Sequence, residues 1–182
     1  MFVKPRTFFV IVGNPHTGKG KTTQQIFERK MFFPFKQPIK TASFGEEHFV
    51  IIYSRYRDAE VNLMRIKTII EFHRESETSF FVVMNLVLGN CTRDIQSILA
   101  YFSQSGFEIH YLVLSSSWYD KKMLSAADME LFEEMAENAT VHLLDQVVTK
   151  SSQRFKERTD QVKVTMLKVL QRKQVYLGRR ST

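Results

Sequence analysis

Five short apolar runs recur along the chain. They are nearly continuous in apolar character and rich in Val, Ile and Phe. Such runs are typical of strands that are covered on both faces, as in a parallel sheet. The predicted strands are Thr7–Val12, Phe49–Tyr53, Phe80–Asn85, Ile109–Leu114 and Thr140–Leu144.

Segments with helical spacing separate these strands. In Thr92–Ser105 the apolar residues follow the i, i+3, i+4, i+7 pattern of one helix face, and Gly106 is suited to end the helix in a left-handed conformation. Ser125 and Asp128 have the spacing of a capping box. The predicted helices are Lys21–Met31, Asp58–Ser76, Thr92–Ser105, Ser125–Asn138 and Ser152–Leu177.

The alternation of strands and helices predicts an α/β fold. We expect a three-layer, doubly wound, mainly parallel five-stranded sheet, whose ligands bind at the carboxyl ends of the strands. The stretch Phe32–His48 lacks periodicity and is interpreted as a loop or small insertion. Residues 1–149 are predicted to form the main domain, with residues 150–182 packed on it as a helical segment.

The main chemical signal follows the first strand. An apolar run ends at Gly13, a loop dense in Gly and Lys follows, and Thr22 and Thr23 open a predicted helix. Glycines let backbone N–H groups turn toward phosphate oxygens, and the helix N-terminus adds partial positive charge. A lysine neutralises the phosphates, and a Ser or Thr hydroxyl binds Mg²⁺. The predicted phosphate-binding residues are Gly13, Thr17, Gly18, Lys19, Gly20, Lys21, Thr22 and Thr23.

Two registers of this motif are open. In the first, Gly13 and Gly18-Lys19 satisfy G-x-x-x-x-G-K, and the next residue is Gly20 instead of Ser or Thr. In the second, Gly20-Lys21-Thr22 forms the end of the motif, and Pro15 replaces the leading glycine. We favour the second register because it places a hydroxyl directly after the lysine, where the metal ligand is needed.

The loop and the α/β alternation resemble the P-loop NTPase superfamily. The first register resembles adenylate-kinase-type loops, in which Gly-Lys-Gly-Thr occurs and a proline is third; here Pro15 fits and Lys21 replaces the threonine. The second resembles the loop of corrinoid adenosyltransferases, whose Gly-Lys-Gly-Lys-Thr-Thr string matches Gly18–Thr23. The resemblance implies a Walker A loop that binds ATP or GTP with Mg²⁺.

The acid that usually holds Mg²⁺ in hydrolysing P-loop enzymes is poorly represented. That acid is an Asp at the end of a neighbouring strand. Only Thr140–Leu144 is followed directly by one, Asp145, which is our candidate metal ligand beside Thr22; the alternative for Asp145 is a turn or capping role. Asn85 or Ser54 is a weaker substitute. We therefore expect slow hydrolysis.

Other candidates near the predicted strand ends are weaker. Arg55 and Arg57 are placed to reach a γ-phosphate, or belong to a solvated loop. The segment around Asp120 lacks the Asn-Lys-x-Asp pattern of guanine recognition. Trp118 and Tyr119 are candidates either for base stacking or for packing at the rim of the site. His16 is a candidate for phosphate contact, and Cys91 is assigned no catalytic role.

The charge is concentrated at the C-terminus. Lys150–Thr182 holds ten Lys/Arg and two Asp/Glu, whereas the other 149 residues hold sixteen basic and seventeen acidic groups, within a formal net charge of +7. This segment suggests a nucleic acid or another polyanion as partner, or a solvated helix without one. One cysteine and no long apolar stretch lead us to expect a cytoplasmic protein.

Three functions are consistent with these features. The first is a slow ATPase or GTPase coupled to a macromolecular partner. The second is a small nucleotide or metabolite kinase or an adenosyl-type transferase, with Phe32–His48 as a lid or acceptor loop. The third is a nucleotide-binding module without catalysis, which the poorly filled acid position favours.

Overall fold

The computed structural model describes residues 6–30, 33, 37–54, 58–86, 92–116, 123–144 and 151–178. Strands and helices alternate over most of this length. The strands are β1 (Thr7–Gly13), β2 (Ile39–Lys40), β3 (His48–Tyr53), β4 (Ser79–Asn85), β5 (Glu108–Leu114) and β6 (Thr140–Leu144). The helices are α1 (Lys19–Ile26), α2 (Ala59–Phe72), α3 (Thr92–Gln104), α4 (Ala126–Met135) and α5 (Ser152–Gly178).

The strands form one mainly parallel sheet in the order β2-β3-β4-β1-β5-β6. Its only antiparallel pair within the described part of the chain joins β2 to β3. The predicted α/β class is therefore confirmed, but the sheet has six strands, one more than predicted. The additional strand, β2, lies in the stretch that we interpreted as a loop. Two residues at a sheet edge are too few to produce a hydrophobic period.

Apolar side chains pack against both faces of this sheet, which explains why the strands read as continuous apolar runs. Along β1, Phe8 and Val10 join a core with α2, α3 and α4, whereas Phe9 and Ile11 join a second core with α1 and α5. Alternate residues of a strand point to opposite faces, so one strand supplies both cores. The helical layers on both sides leave the strand ends as the place where a ligand can reach the backbone.

Local signals in the sequence fix several element ends. The Asp58 side chain accepts hydrogen bonds from Glu60 N at 2.8 Å and Val61 N at 3.2 Å, which begins α2. Ser125 and Asp128 form the predicted capping box at α4. Gly106 has the left-handed conformation expected after α3, with φ of 69°.

Candidate functional site

The loop between β1 and α1 lies at the centre of the sheet. β1 pairs with β4 on one side and with β5 on the other, so that Gly13 lies between Asn85 and Leu114. His16 and Gly18 have left-handed backbone conformations, with φ of 64° and 83°. Gly18 is also the N-cap of α1 and provides no side-chain cap. The first-turn N–H groups of α1 therefore open toward the loop, where they favour an anion.

Lys19 lies folded back into this loop. Its side chain is buried, and Nζ donates to Gly13 O at 2.9 Å, to Asn14 O at 2.7 Å and to Thr17 Oγ1 at 3.1 Å. Burial lowers the pKa of the ammonium from 10.5 to about 8. Loss of water around a cation disfavours its charged form, so an anion placed nearby would stabilise it.

Gly13 and Thr17 shape the loop from within. A Cβ at Gly13 would lie 2.8 Å from Leu114 O and 3.0 Å from Thr17 Oγ1, so no larger residue fits without movement of the backbone. The Thr17 hydroxyl, which is also buried, donates to Asn14 O at 2.9 Å. At Gly20, in contrast, a Cβ would meet nothing within 4 Å.

Lys21 and Thr23, two further predicted loop residues, make different contacts. Lys21 is exposed, with Nζ 4.9 Å from the centre of the Phe155 ring. Thr23 is buried and its hydroxyl donates to Lys19 O at 2.8 Å, as in many helix interiors. The lysine inside the loop is thus Lys19, which is the lysine of the first register, whereas we favoured the second; which register binds phosphate stays a prediction.

A cavity of about 380 Å³ adjoins the loop at the carboxyl ends of β3 and β4. The loop contributes a lysine, a histidine and two glycines, and the strands contribute mainly neutral residues. Among the described residues, no carboxylate lines it. Its lining consists of His16, Gly18, Lys19, Gly20, Tyr53, Ser54, Val83, Met84 and Asn85.

The described residues do not fit a magnesium ion held by protein ligands. Thr22 is fully buried, does not line the cavity, and its hydroxyl has no hydrogen-bond partner within the described ranges. Gly20, which follows the loop lysine, has no side chain to offer. The described residues also contain no group of three His, Cys, Asp or Glu placed to hold a metal. Asp145, the second predicted ligand, lies outside the described residues.

Sequence reasoning missed Arg158, which reaches the loop from α5. The charge pattern associates the basic residues of the C-terminal segment with solvent or a polyanion, but Arg158 is 5% exposed. Nη1 donates to Thr17 O at 2.5 Å, and Nη2 donates to Ser116 O at 3.3 Å and Ser116 Oγ at 3.2 Å. Its spacing was a usable signal, since Arg158 precedes the buried Val162 and Met166 by four and eight residues and so shares their helix face.

The remaining candidates divide into those that the structure places and those that it does not. His16 lines the cavity. Outside the described residues lie Arg55, Arg57, Cys91, Trp118, Tyr119 and Asp120.

Comparison with family models and curated sequences identifies no family for this chain. The chain matches no protein-family model and no curated protein sequence. Among the described residues, no helix has the length and apolar character needed to cross a bilayer.

Proposed function

We propose that this protein binds the phosphate groups of a nucleoside triphosphate, ATP or GTP, in the loop Gly13–Lys19. The observation that carries the proposal is the buried Lys19 ammonium, which lies at the centre of the loop beside an uncapped helix N-terminus. Buried cations are rare unless an anion or several acceptors compensate them. We also propose that the sheet and helices around this loop form a doubly wound fold of the P-loop type.

The loop supplies three kinds of attraction for phosphate. Lys19 is the charged group, the first-turn N–H groups of α1 are donors, and the helix dipole adds partial positive charge. Nζ now donates to Gly13 O, Asn14 O and Thr17 Oγ1, so a phosphate oxygen would exchange for one of these neutral acceptors. Hydrogen bonds between charged partners are roughly twice as strong as neutral ones, which favours that exchange.

Turnover is proposed to be slow and to depend on a macromolecular partner. β4, the strand beside β1, ends in Asn85 where an acid would be needed. A magnesium ion would then arrive as the counter-ion of the nucleotide. The single cysteine favours a reducing cytoplasmic setting.

Matched lysine variants test the binding proposal. Lys19→Ala is expected to weaken ATP or GTP binding by about 10- to 100-fold, because a charged hydrogen bond is lost. Lys21→Ala is the control, since Lys21 is exposed and packs over Phe155, and its affinity should stay within about twofold of wild type. Isothermal titration calorimetry with each nucleotide, with and without Mg²⁺, measures both.

Two results of this experiment would contradict different parts of the proposal. If wild-type protein binds neither nucleotide under either condition, the proposed function is wrong. If Lys21→Ala loses more affinity than Lys19→Ala, the second register is correct and Lys19 is a structural residue.

A further inference from the structure

A second buried cation, Arg158 of α5, contacts the same loop on a residue that also holds Lys19. The guanidinium donates to the Thr17 carbonyl, and the Thr17 hydroxyl accepts from Lys19 Nζ at 3.1 Å. The other guanidinium nitrogen is bound to Ser116, just beyond the end of β5. A continuous series of hydrogen bonds therefore runs from Ser116 through Arg158 and Thr17 to Lys19.

The shape of the guanidinium makes this connection rigid. Its nitrogens lie in one plane at fixed separations, so holding Thr17 and Ser116 together fixes the loop relative to β5. A lysine at this position would keep the charge but would present it at a single point. Position and charge can therefore be separated by substitution.

The contact also acts on the donors of the loop. The Thr17 carbonyl and the Gly18 N–H belong to one peptide unit, and a cation bound to the carbonyl polarises that unit. Gly18 lines the cavity at the start of α1. Arg158 therefore strengthens a donor at the place where a phosphate would lie, although it does not line the cavity.

We propose that Arg158 is a positioning residue for phosphate binding, which holds the loop in its anion-accepting shape from α5. This inference rests on the proposed nucleotide function. It implies that α5 is part of the nucleotide site, and that a structural change in α5 near Arg158 alters the conformation of the loop.

Three variants separate positioning from packing and from charge. Arg158→Ala removes the contact. Arg158→Lys keeps the charge but lacks the planar guanidinium that contacts Thr17 and Ser116 together. Thr159→Val is the matched control, because Thr159 is a buried neighbour whose hydroxyl is hydrogen-bonded to Gln25 Oε1 and to Phe155 O, each at 3.0 Å, and neither residue belongs to the loop. Calorimetric titration with ATP or GTP and urea unfolding are measured for each variant.

Both Arg158 variants are expected to bind nucleotide at least about tenfold more weakly, whereas Thr159→Val should bind within about twofold of wild type even if it is less stable. Wild-type affinity in Arg158→Lys would overturn the proposal, because charge alone would then suffice. A loss of affinity in all three variants in proportion to their lost stability would also overturn it. If Arg158→Ala does not fold, the lysine variant decides.

Hydrogen exchange without nucleotide gives a readout that does not depend on the proposed function. The amides of residue 14 and residues 16–20 should exchange faster in Arg158→Lys than in wild type, and should be unchanged in Thr159→Val. If wild-type protein binds no nucleotide, the proposed function fails while this measurement still tests whether Arg158 holds the loop. Unchanged exchange in Arg158→Lys would overturn the positioning role.

Discussion

Lys19 combines a positive charge with a buried position, and its protonation should control ligand binding. The pKa of the folded, unliganded side chain is lowered by burial to about 8. Since phosphate binds the ammonium form, affinity is expected to fall by up to about tenfold per pH unit above pH 8. Titrations between pH 7 and pH 10 should show this fall for wild type and for Lys21→Ala, and not for Lys19→Ala.

The contribution of Lys19 to the free energy of unfolding should change in the opposite direction in this window. Between pH 8 and the unfolded pKa of 10.5, the unfolded chain holds more protons at this lysine than the folded one. Lys19 therefore makes the fold more stable as pH rises through this range. A loss of binding that accompanies unfolding in the same range would contradict the assignment to Lys19.

The glycines of the loop differ in the space around them, which gives a second prediction. Gly13→Ala places a Cβ 2.8 Å from Leu114 O and should lower the free energy of unfolding by about 1–3 kcal/mol. Gly20→Ala meets open space in the first turn of α1 and should raise it by roughly 0.5–1 kcal/mol. Urea unfolding of both variants measures these changes. Equal effects on the free energy of unfolding would contradict the difference in packing around Gly13 and Gly20.

At the scale of single residues, the sequence predicted the loop but not which lysine it holds. Gly13, Gly18 and both lysines were evident, yet burial separates Lys19 from Lys21. The loop also contains His16 with a left-handed φ, a conformation uncommon outside glycine. A residue type alone does not predict it.

Among the elements, β4 limits what the site can do. Its last residue, Asn85, lies beside Gly13 and lines the cavity, where an acid would hold a metal and help to activate water. We expect the isolated protein to release phosphate from ATP or GTP more slowly than about 1 s⁻¹, the lower end of the usual range. Steady-state phosphate release tests this, with Lys19→Ala as the background. Turnover of about 1–100 s⁻¹ without a partner would contradict it.

Element types were predictable from apolar pattern, while some ends were not. All five predicted strands are present, and the capping signals of α2 and α4 are used as the sequence indicates. α1 ends earlier than predicted because Glu28 adopts φ of 54°, with Arg29 N donating to Gln24 O at 2.9 Å. This C-terminal motif usually requires glycine, so its position with a glutamate was not predictable.

At the scale of the whole molecule, the basic C-terminal segment is also part of the core. Val162 and Met166 are fully buried in the core that α5 shares with α1 and the sheet. Removing this segment would expose that core, so truncation cannot test its charge. Some of its cations are used internally as well, since Arg158 is buried and Lys173 donates to Thr7 Oγ1 at 2.7 Å.

These contacts reduce the positive surface available to a polyanion. Within the described part of α5, four Lys/Arg side chains are exposed, and one of them, Arg154, pairs with Glu157 at 3.0 Å. If all four contacted duplex DNA, the log–log slope of affinity against salt would be about −4 by counterion release. The exposed residues are Arg154, Lys156, Lys168 and Arg172.

Charge removal with α5 retained is the appropriate test of polyanion binding. A variant with Lys156→Gln, Lys168→Gln and Arg172→Gln should bind single- and double-stranded oligonucleotides more weakly and reduce the salt slope by about 3 on duplex DNA. A matched control changes Arg29, Lys30 and Lys67, which are exposed outside α5, to Gln and loses the same net charge. Fluorescence anisotropy at several salt concentrations measures both.

Equal weakening in the two variants would mean that net charge, and not the α5 surface, attracts the polyanion. Unchanged binding in the α5 variant would place the contact elsewhere on the chain.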